Sequence, residues 1–305
     1  MLNSRGRNPL PLDLFKPLEF EDKEVFDEIL HQDPPFISEL TFSNLYMWRH
    51  KHRPAWRIAE KCLLIIFQPQ GQSPFGLFPV GSGNKKEALD LLLGELCAAT
   101  PDARICRVDE KNLKALAHPE RFRIEPDHDN SDYVYLTQEL IALSGKKYHR
   151  KKNHLNQFFR KNNYEYRRLD NDLLDSLLEM QEEWCRMREC VEHPSLSAED
   201  FTIREALSRF GELDYTGCAI LIDGLVEAFS LGEPLNEDTA VIHFEKANPA
   251  IPGLYAAINN LFCRNSWPDM KYVNREQDLG IEGLRKAKES YYPNHMINKY
   301  TLIPK

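Results

Sequence analysis

The sequence lacks any hydrophobic run long enough to cross a membrane. Its longest unbroken apolar stretch, Cys62 to Phe67, has six residues, whereas a transmembrane helix needs about 20. The first residues, Met1 to Pro11, carry Arg5 and Arg7 but neither an apolar core nor a small-residue cleavage site, so no secretory signal is predicted. Together these absences predict a soluble, cytoplasmic protein.

Cysteine pairs with the CxxC spacing of zinc and redox sites are also absent. The cysteines are odd in number, which favours reduced, mostly structural thiols over disulfides. The motifs around His50, His52 and His243 lack partner ligands at recognised spacings, so no metal site is predicted. The seven cysteines are Cys62, Cys97, Cys106, Cys185, Cys190, Cys218 and Cys263.

Acidic residues are missing from one segment of an otherwise acidic chain. The net charge is −8, from 39 Lys and Arg against 47 Asp and Glu. Leu140 to Asn163 contains seven cations and no Asp or Glu, which leaves 32 positive and 47 negative charges elsewhere, a net of −15. Such a cationic segment is suited to binding phosphates, as in a tRNA acceptor stem or an anionic lipid surface. The alternative is that this helix packs between the lobes and only balances the charge of the acidic remainder.

The length of 305 residues is about twice that of an ordinary domain, so two lobes are expected. Both halves are predicted to run helix, helix, three strands, helix, strand, helix, strand, and Asp223-Gly224 is the strongest hairpin signal. The repeated order predicts two copies of one α/β (α+β) unit. We expect an N-terminal lobe over 1–143, a basic connecting helix over 144–163 and a C-terminal lobe over 164–305.

Three blocks of the chain resemble a known family. They are SGKKYHRKKNHLNQFF from Ser144, HFEKANPAIPGLYAAIN from His243, and NREQDLGIEGLRKAKESYYP from Asn274. They are similar to the C-terminal domain of bacterial phosphatidylglycerol lysyltransferase, and the resemblance extends from about Phe20 to the end. It implies tandem GNAT-like acyltransferase lobes with mixed central sheets flanked by helices. It also implies a relationship to the peptidoglycan-bridge aminoacyltransferases, which use aminoacyl-tRNA.

Two features depart from the wider fold. The membrane-bound lysyltransferases carry a long transmembrane portion, and no such segment is evident here. Acetyl-CoA-dependent members hold pyrophosphate on a Q-x-x-G-x-G/A loop, whereas Ala250 to Tyr255 keeps only the glycine at 253. Coenzyme A binding is therefore weakened as a hypothesis, although a helix N-terminus at Gly253 is still suited to an anion.

Polar residues at the ends of two C-terminal strands are the candidate site. Acyl transfer from an activated ester needs positioning and oxyanion donors rather than a protein nucleophile. The strand before Glu245 is expected to place His243 and Glu245 on one face and Phe244 on the other. The alternative is that these charges are only solvated or salt-bridged. The predicted proton acceptors or ammonium-binding groups are Glu245, Glu276 and Asp278, and the predicted substrate-binding residues are His243, Asn274 and Arg275.

Donor binding is assigned to cations and one glycine. The predicted phosphate-binding residues are Lys146, Lys147, Arg150, Lys151, Lys152, Gly253, Arg285 and Lys288. For Arg285 and Lys288 the alternative is a solvated helix start. In addition, the resemblance implies that Tyr291 or Tyr292, of which we select Tyr292, protonates the leaving group; a core tyrosine is the alternative.

The resulting hypothesis is an aminoacyl or acyl transferase. The favoured donor is aminoacyl-tRNA or another anionic, phosphate-bearing molecule, and the acceptor is an amine or hydroxyl on a small molecule, peptide or lipid. No cofactor is predicted beyond such a co-substrate. One alternative is an acyl-CoA-dependent N-acetyltransferase, and another is a non-catalytic protein that binds RNA, nucleotide or lipid.

Overall fold

A computed structural model describes residues 12–305. Met1 to Pro11, for which no secretory signal is predicted, lie outside the described residues. The chain forms two compact units, one of residues 12–131 with Ile297–Lys305 and one of Asp132–Met296. No helix within residues 12–305 combines the length and apolar character needed to span a bilayer.

The first unit is built on a mixed sheet. Its strands are β1 (Lys16–Pro17), β2 (Pro54–Ala59), β3 (Cys62–Phe67), β4 (Phe75–Leu77), β5 (Val80–Gly81), β6 (Ile105–Asp109), β7 (Phe122–Pro126) and, from the end of the chain, β15 (Lys299–Pro304). The order is β1-β2-β3-β4-β6-β15-β7, with β5 paired to β3 and β4 parallel to β6.

Helices cover this first sheet. They are α1 (Lys23–Gln32), α2 (Phe42–Met47), α3 (Arg49–His52), α4 (Lys85–Ala99) and α5 (Glu110–Lys114), with 3₁₀ turns at Phe20–Asp22, Pro119–Arg121 and His128–Asn130. The leucines of α4 at 89, 92, 93 and 96 are buried, as their spacing predicts.

The second unit has seven strands. They are β8 (Asp132–Leu136), β9 (Tyr164–Arg168), β10 (Thr216–Ile222), β11 (Leu225–Pro234), β12 (Thr239–Ala247), β13 (Tyr272–Asn274) and β14 (His295–Ile297), in the order β14-β8-β13-β12-β11-β10-β9. Asp223 and Gly224 both have positive φ in the turn between β10 and β11, which confirms the predicted hairpin.

Six helices belong to this unit. They are α6 (Thr137–Ala142), α7 (His149–Lys161), α8 (Leu174–Met187), α9 (Pro194–Ser208), α10 (Leu254–Ser266) and α11 (Glu282–Glu289), with 3₁₀ turns at Lys146–Tyr148, Asn171–Leu173 and Cys190–Glu192. The basic segment forms α7, and its apolar face packs on α10: Leu155 and Phe158 are buried in one core with Leu254 and Phe262.

The boundaries of the compact units lie after Ser131 and after Met296, whereas the predicted lobe boundaries lie at residues 143 and 163. Strand β8, expected to close the first half, pairs with β13 in the second sheet. The last predicted strand is divided at Asn298, and β15 pairs with β6 and β7 in the first sheet. Helix α7 is therefore an integral part of the second unit.

The prediction that all cysteines are reduced was wrong for one pair. Cys185 and Cys190 form a disulfide. Cys185 lies in the last turn of α8, and the chain then reverses through Glu189, which has a left-handed conformation, so that the two Cα atoms come within 5.0 Å. The other five cysteines are free thiols.

Candidate functional site

Strands β12 and β13 separate at their carboxyl ends, and we call the space between them, which side chains of both strands bridge, the crevice. These parallel strands pair over only three residues, and the last pair is Val241 with Asn274. Beyond it β12 continues to Ala247, whereas the chain leaves β13 at Arg275. Parallel strands that diverge at their carboxyl ends expose side chains of both strands, so the predicted site residues meet here.

A β-bulge sets which way the side chains of β12 point. Leu231 of β11 lies opposite Phe244 and Gly232 lies opposite Ile242, so His243 is an extra residue in β12. The prediction that His243 and Glu245 share one face of the strand was therefore wrong. Glu245 faces α10, and His243 faces the opposite side of the sheet, on which α8 packs.

On the α10 side an ion pair crosses the crevice. Arg275 Nη2 donates to Glu245 Oε1 at 2.7 Å, and Asn259 Nδ2 donates to Glu245 Oε2 at 2.9 Å. The side chains of Arg275 and Glu245 are 13% and 12% exposed, so the pair is largely shielded from water. Burial alone would lower the pKa of Arg275, but Glu245 more than offsets it and holds that pKa above its usual value.

Two polar atoms of this cluster have no partner. Arg275 Nη1 and Asn259 Oδ1 are both buried and form no hydrogen bond with any residue in 12–305. A buried polar atom without a partner costs about 1 to 3 kcal/mol. One atom is a donor and the other an acceptor, so a ligand with an oxygen atom and an ammonium group would satisfy both.

On the α8 side a histidine links two carboxylates. His243 Nε2 lies 2.8 Å from Glu233 Oε1, and its Nδ1 lies 2.8 Å from Glu276 Oε1. Burial favours the neutral imidazole, but the hydrogen bonds to Glu233 and Glu276 outweigh it and raise the pKa of His243 to about 9. Burial raises the pKa of Glu276, while His243 offsets part of that increase. The two carboxylates therefore favour the imidazolium form of His243.

This arrangement makes stability depend on pH. The folded pKa of His243 exceeds its unfolded value of about 6.5, so its contribution is complete below pH 6.5 and is lost as the pH rises through 9. The difference in unfolding free energy between the native protein and His243→Gln is expected to shrink by on the order of 3 kcal/mol over that range. Denaturant titrations at several pH values measure it. His118→Gln, at an exposed position, serves as the control, and a constant difference for His243→Gln would contradict the assignment.

Asn274 positions Glu276. The Asn274 side chain donates to Asp132 at 3.0 Å and accepts from the Glu276 backbone N–H at 2.8 Å. Glu276 has a φ of 56°, a left-handed conformation that is uncommon outside glycine. Asn274, predicted to bind substrate, is fully buried and holds the turn that directs Glu276 toward His243.

Asp278 is engaged in a different network. It accepts hydrogen bonds from Tyr133 Oη at 2.6 Å and Arg285 Nε at 2.7 Å. Burial would raise the pKa of Asp278, but Arg285, Tyr133 and the Gly280 N–H lower it to about 2. A carboxylate held this strongly in its charged form is a poor proton acceptor near neutral pH, so Asp278 and Arg285 fix the loop before α11 instead.

Lys288 points into the protein. Its ammonium donates to the backbone carbonyls of Arg275 and Glu276, and the residue is 8% exposed. Burial and the nearby Arg275 lower the pKa of Lys288 to about 8. The predicted role in phosphate binding conflicts with this placement, because the helix turns Lys288 toward the crevice backbone and away from the surface.

The predicted cations of the basic segment differ in their surroundings. Lys151 lies over the ring of Tyr291, with Nζ 4.0 Å from the ring centre. Lys147 pairs with Glu139 at 3.0 Å, and Lys152 donates to the Ala142 carbonyl at 3.3 Å. The exposed members of the set are Lys146, Lys147, Arg150 and Lys152. Lys151 is the half-buried one, and it is coupled electrostatically to Arg275 and Glu245.

Gly253, at the start of α10, is packed against α7. It has a φ of 85°, and a Cβ atom there would lie 2.4 Å from the His154 carbonyl oxygen. Gly145 has a similar φ of 87° with open space around it. Gly253→Ala is therefore expected to reduce the unfolding free energy by about 1 to 3 kcal/mol more than Gly145→Ala, which carries only the backbone strain. Denaturant titration measures both, and equal losses would contradict this packing.

Tyr291 and Tyr292 have different environments. Tyr291 is buried, and its ring centre lies 4.7 Å from the Arg275 guanidinium. Tyr292 is half-exposed, with its ring 5.6 Å from that of Tyr148. The role of Tyr292 as a leaving-group acid stays a prediction.

The sequence reasoning missed Glu233 and Asn259. Glu233 is a buried acidic residue within the largely apolar strand β11, and Asn259 lies in the buried face of α10. A polar side chain inside an otherwise apolar element is the signal that could have identified both. Within residues 12–305 no cluster of His, Cys, Asp and Glu has the arrangement of a metal site.

Comparison with known proteins finds chains of similar fold. A crystal structure of a conserved protein of unknown function from Bacteroides thetaiotaomicron is 33% identical, with 95% of this chain and 99% of that chain covered and a TM-score of 0.89. The structure of L-PGS from Bacillus licheniformis matches at 16% identity over 93% and 92% of the chains, with a TM-score of 0.64. A tandem GNAT protein from the clavulanic acid biosynthesis pathway matches at 8% identity over 95% and 98%, with a TM-score of 0.50.

The fold is thus a tandem GNAT-like fold, as the resemblance implied. The family model described as phosphatidylglycerol lysyltransferase, C-terminal, matches residues 34–303, and this chain belongs to that family. The family is one of acyl and aminoacyl transferases. An uncharacterized protein of Mycoplasmoides gallisepticum is 24% identical over 186 residues, a match that spans 59% of this chain and 58% of that protein.

Proposed function

We propose that this chain transfers an aminoacyl group from aminoacyl-tRNA to an amine or hydroxyl acceptor at the crevice between β12 and β13. Membership of the family supports the transfer chemistry. The observation that carries the proposal is a difference in charge between the two sides of the crevice. An anionic donor would be attracted to the positively charged side, and a cationic acceptor would be attracted to the negatively charged side.

The α10 side has an excess of positive charge. Arg275 and Lys151 lie there with Glu245 as the facing carboxylate, and the exposed cations of α7 and of the turn before it add to the positive potential. This side suits the phosphates and the 3′ end of an RNA donor.

The α8 side has an excess of negative charge. Glu233 and Glu276 flank the imidazolium of His243, which leaves two carboxylates against one cation. An acceptor that carries an ammonium group would be attracted to this side. Glu276 is 16% exposed, so it is the member of the trio that an acceptor reaches.

The proposed reaction uses side chains on both sides of the crevice. The acceptor nitrogen or oxygen attacks the ester carbonyl, a bond to that carbonyl carbon forms, and the bond to the ribose oxygen breaks. Arg275 Nη1 donates to the developing oxyanion, and Asn259 Oδ1 accepts from the ammonium of the aminoacyl group. Glu276 takes the proton of the acceptor and passes it to the departing ribose oxygen, which leaves as a hydroxyl, so that no net proton is gained or lost.

A coenzyme A donor has less support. The start of α10, where a pyrophosphate would be held, has Gly253 in contact with the His154 backbone.

Transfer can be tested directly with a panel of aminoacyl-tRNAs. The native protein is incubated with each tRNA and with amine, peptide and lipid acceptors, and products are identified by mass spectrometry. A product that depends on both protein and tRNA supports the proposal. Binding without any product would favour the non-catalytic alternative, and a product only with acetyl-CoA would favour the N-acetyltransferase.

The basic helix gives this binding a salt dependence. Replacing both Lys151 and Lys152 with alanine is expected to reduce the slope of log affinity against log salt by about 1 to 2, because two phosphate contacts are lost. Lys86→Ala with Lys114→Ala removes two exposed charges of the first unit and serves as the matched control. Affinity that is independent of salt in the native protein would contradict the role of α7.

A further inference from the structure

Two arginines and a histidine of the first unit lie together against a pair of aromatic rings. The guanidinium carbons of Arg104 and Arg107 lie 5.8 and 5.9 Å from the centre of the Phe75 ring. The ring of Phe67 lies beside that of Phe75, with centres 5.3 Å apart, and the His52 ring stacks on Phe67 at 5.2 Å. The proposed transfer reaction uses none of these side chains.

This cluster has few carboxylates for its positive charge. Arg107 Nε lies 3.4 Å from Glu39 Oε1, and the other oxygen of Glu39 already accepts from Lys299 Nζ at 2.7 Å. Among residues 12–305, no other carboxylate forms an ion pair with Arg104 or Arg107. Two guanidinium groups held against one ring repel each other, so an anion in contact with both would be stabilised.

The side-chain nitrogens of the cluster are available to a ligand. No oxygen atom of residues 12–305 accepts a hydrogen bond from the side chains of Arg104, Arg107 or His52. These nitrogens are not buried, so each of them reaches solvent. Burial and the charge of Arg107 lower the pKa of His52 to about 3, so at neutral pH its ring is uncharged and carries one N–H donor.

The backbone of β6 is irregular at this cluster. Cys106 and Arg107 together lie opposite the single residue Thr301 of β15, which makes a β-bulge. Arg107 has a φ of 59°, a left-handed conformation that is uncommon outside glycine. A bulge changes the direction of a side chain, and here the side chain that it redirects is one of the two arginines.

We propose that Arg104, Arg107 and His52 form a site in the first unit that binds a dianionic phosphate group, either as free phosphate or at the end of a small monoester. Each guanidinium presents a planar fork of N–H donors that matches two phosphate oxygens, and the imidazole supplies a further donor. The two positive charges match the two negative charges of the phosphate. The site goes beyond the proposed function, because it needs neither RNA nor a transfer reaction.

Calorimetric titration of the full chain with inorganic phosphate, at pH 8 and constant ionic strength, tests the site. Arg104→Gln is expected to weaken the binding at least about tenfold, because one of two charged donors is lost. Arg123→Gln, which removes an exposed cation of the first unit, is the matched control and should bind as the native protein does. No binding by the native protein, or equal affinity in Arg104→Gln, would overturn the proposal.

Two further probes test the charge of the ligand and its source. Dimethyl phosphate, which carries one negative charge, is expected to bind at least about tenfold more weakly than inorganic phosphate or ribose 5-phosphate. Tighter binding of ribose 5-phosphate would identify a monoester as the ligand, and tighter binding of inorganic phosphate would identify free phosphate. Equal affinity for dimethyl phosphate would overturn the assignment of a dianion.

The ring of His52 reports where the phosphate binds. Its NMR signals, assigned with the His52→Gln variant, are expected to shift as phosphate is added, with the midpoint found by calorimetry. Shifts at histidines of the second unit without a shift at His52 would overturn the proposal. Absence of aminoacyl transfer would leave all these results unchanged, so failure of this inference and failure of the proposed function are distinguishable.

Discussion

Replacing Arg275 with methionine is expected to reduce the free energy of unfolding by about 3 to 5 kcal/mol, because the variant leaves Glu245 as an uncompensated charge in a largely buried site. Asn259 would still donate to that carboxylate, but one neutral hydrogen bond does not replace a guanidinium. Denaturant titration at neutral pH measures the loss. The same variant should also be inactive in aminoacyl transfer, since Nη1 is the proposed oxyanion donor.

A double-mutant cycle separates the ion pair from simple loss of packing. Glu245→Gln combined with Arg275→Met removes both charges, and the double variant is expected to be more stable than Arg275→Met alone. Arg123→Met provides the matched control, because its exposed pair with Glu125 is worth no more than about 1 kcal/mol. If Arg275→Met lost no more stability than Arg123→Met, the buried bridge would be refuted.

The second large effect is expected on turnover. Glu276→Gln should lower the rate of aminoacyl transfer by about 10²- to 10⁴-fold, since the amide cannot accept the proton of the acceptor. The glutamine oxygen can still accept from His243, so the fold should be retained. A transfer assay measures the rate, and thermal unfolding monitors the fold.

Glu282→Gln is the control for this change. Glu282 is exposed and pairs with Lys286 on α11, so its replacement should leave turnover as it is in the native protein. Unchanged turnover for Glu276→Gln would exclude Glu276 as the proton acceptor. The charge asymmetry of the crevice would then have to be explained by binding alone.

The strand ends of the second unit could be predicted from the sequence, because the apolar runs of β12 and β13 stop at polar clusters. That pattern predicts that Glu245, Arg275 and Glu276 lie near one another. It could not separate their roles. Whether a carboxylate such as Asp278 is a base or a structural anchor depends on Arg285 and Tyr133, and Tyr133 is 145 residues away in the sequence.

The faces of β12 could not be predicted, because the bulge is invisible in local alternation. One extra residue at His243 shifts the pattern by one position and sends Glu245 to the α10 side. The partner strand β11 decides where this happens. The Cβ that Gly232 lacks would lie 2.4 Å from the Val241 carbonyl oxygen, so the close backbone approach requires glycine.

The lobe boundaries depend on strand pairing rather than on local sequence. Strand β8 is an ordinary apolar strand, and nothing in its residues indicates that it joins β13 instead of a strand of the first half. The same holds for β15, which pairs with β6 and β7. The repeated order of elements therefore predicted two α/β units. It did not predict that β8 pairs in the second sheet and β15 in the first.

The binding of a stable donor analogue tests the central claim most directly. A short RNA helix with an amide-linked 3′ aminoacyl group is compared with the same RNA lacking that group, for the native protein and for Asn259→Ala. The native protein is expected to bind the aminoacylated RNA at least about tenfold more tightly, a difference of about 1.4 kcal/mol. The preference should disappear in Asn259→Ala, and coenzyme A should not displace the RNA. Equal affinity for both RNAs in the native protein, or displacement by coenzyme A, would contradict the account.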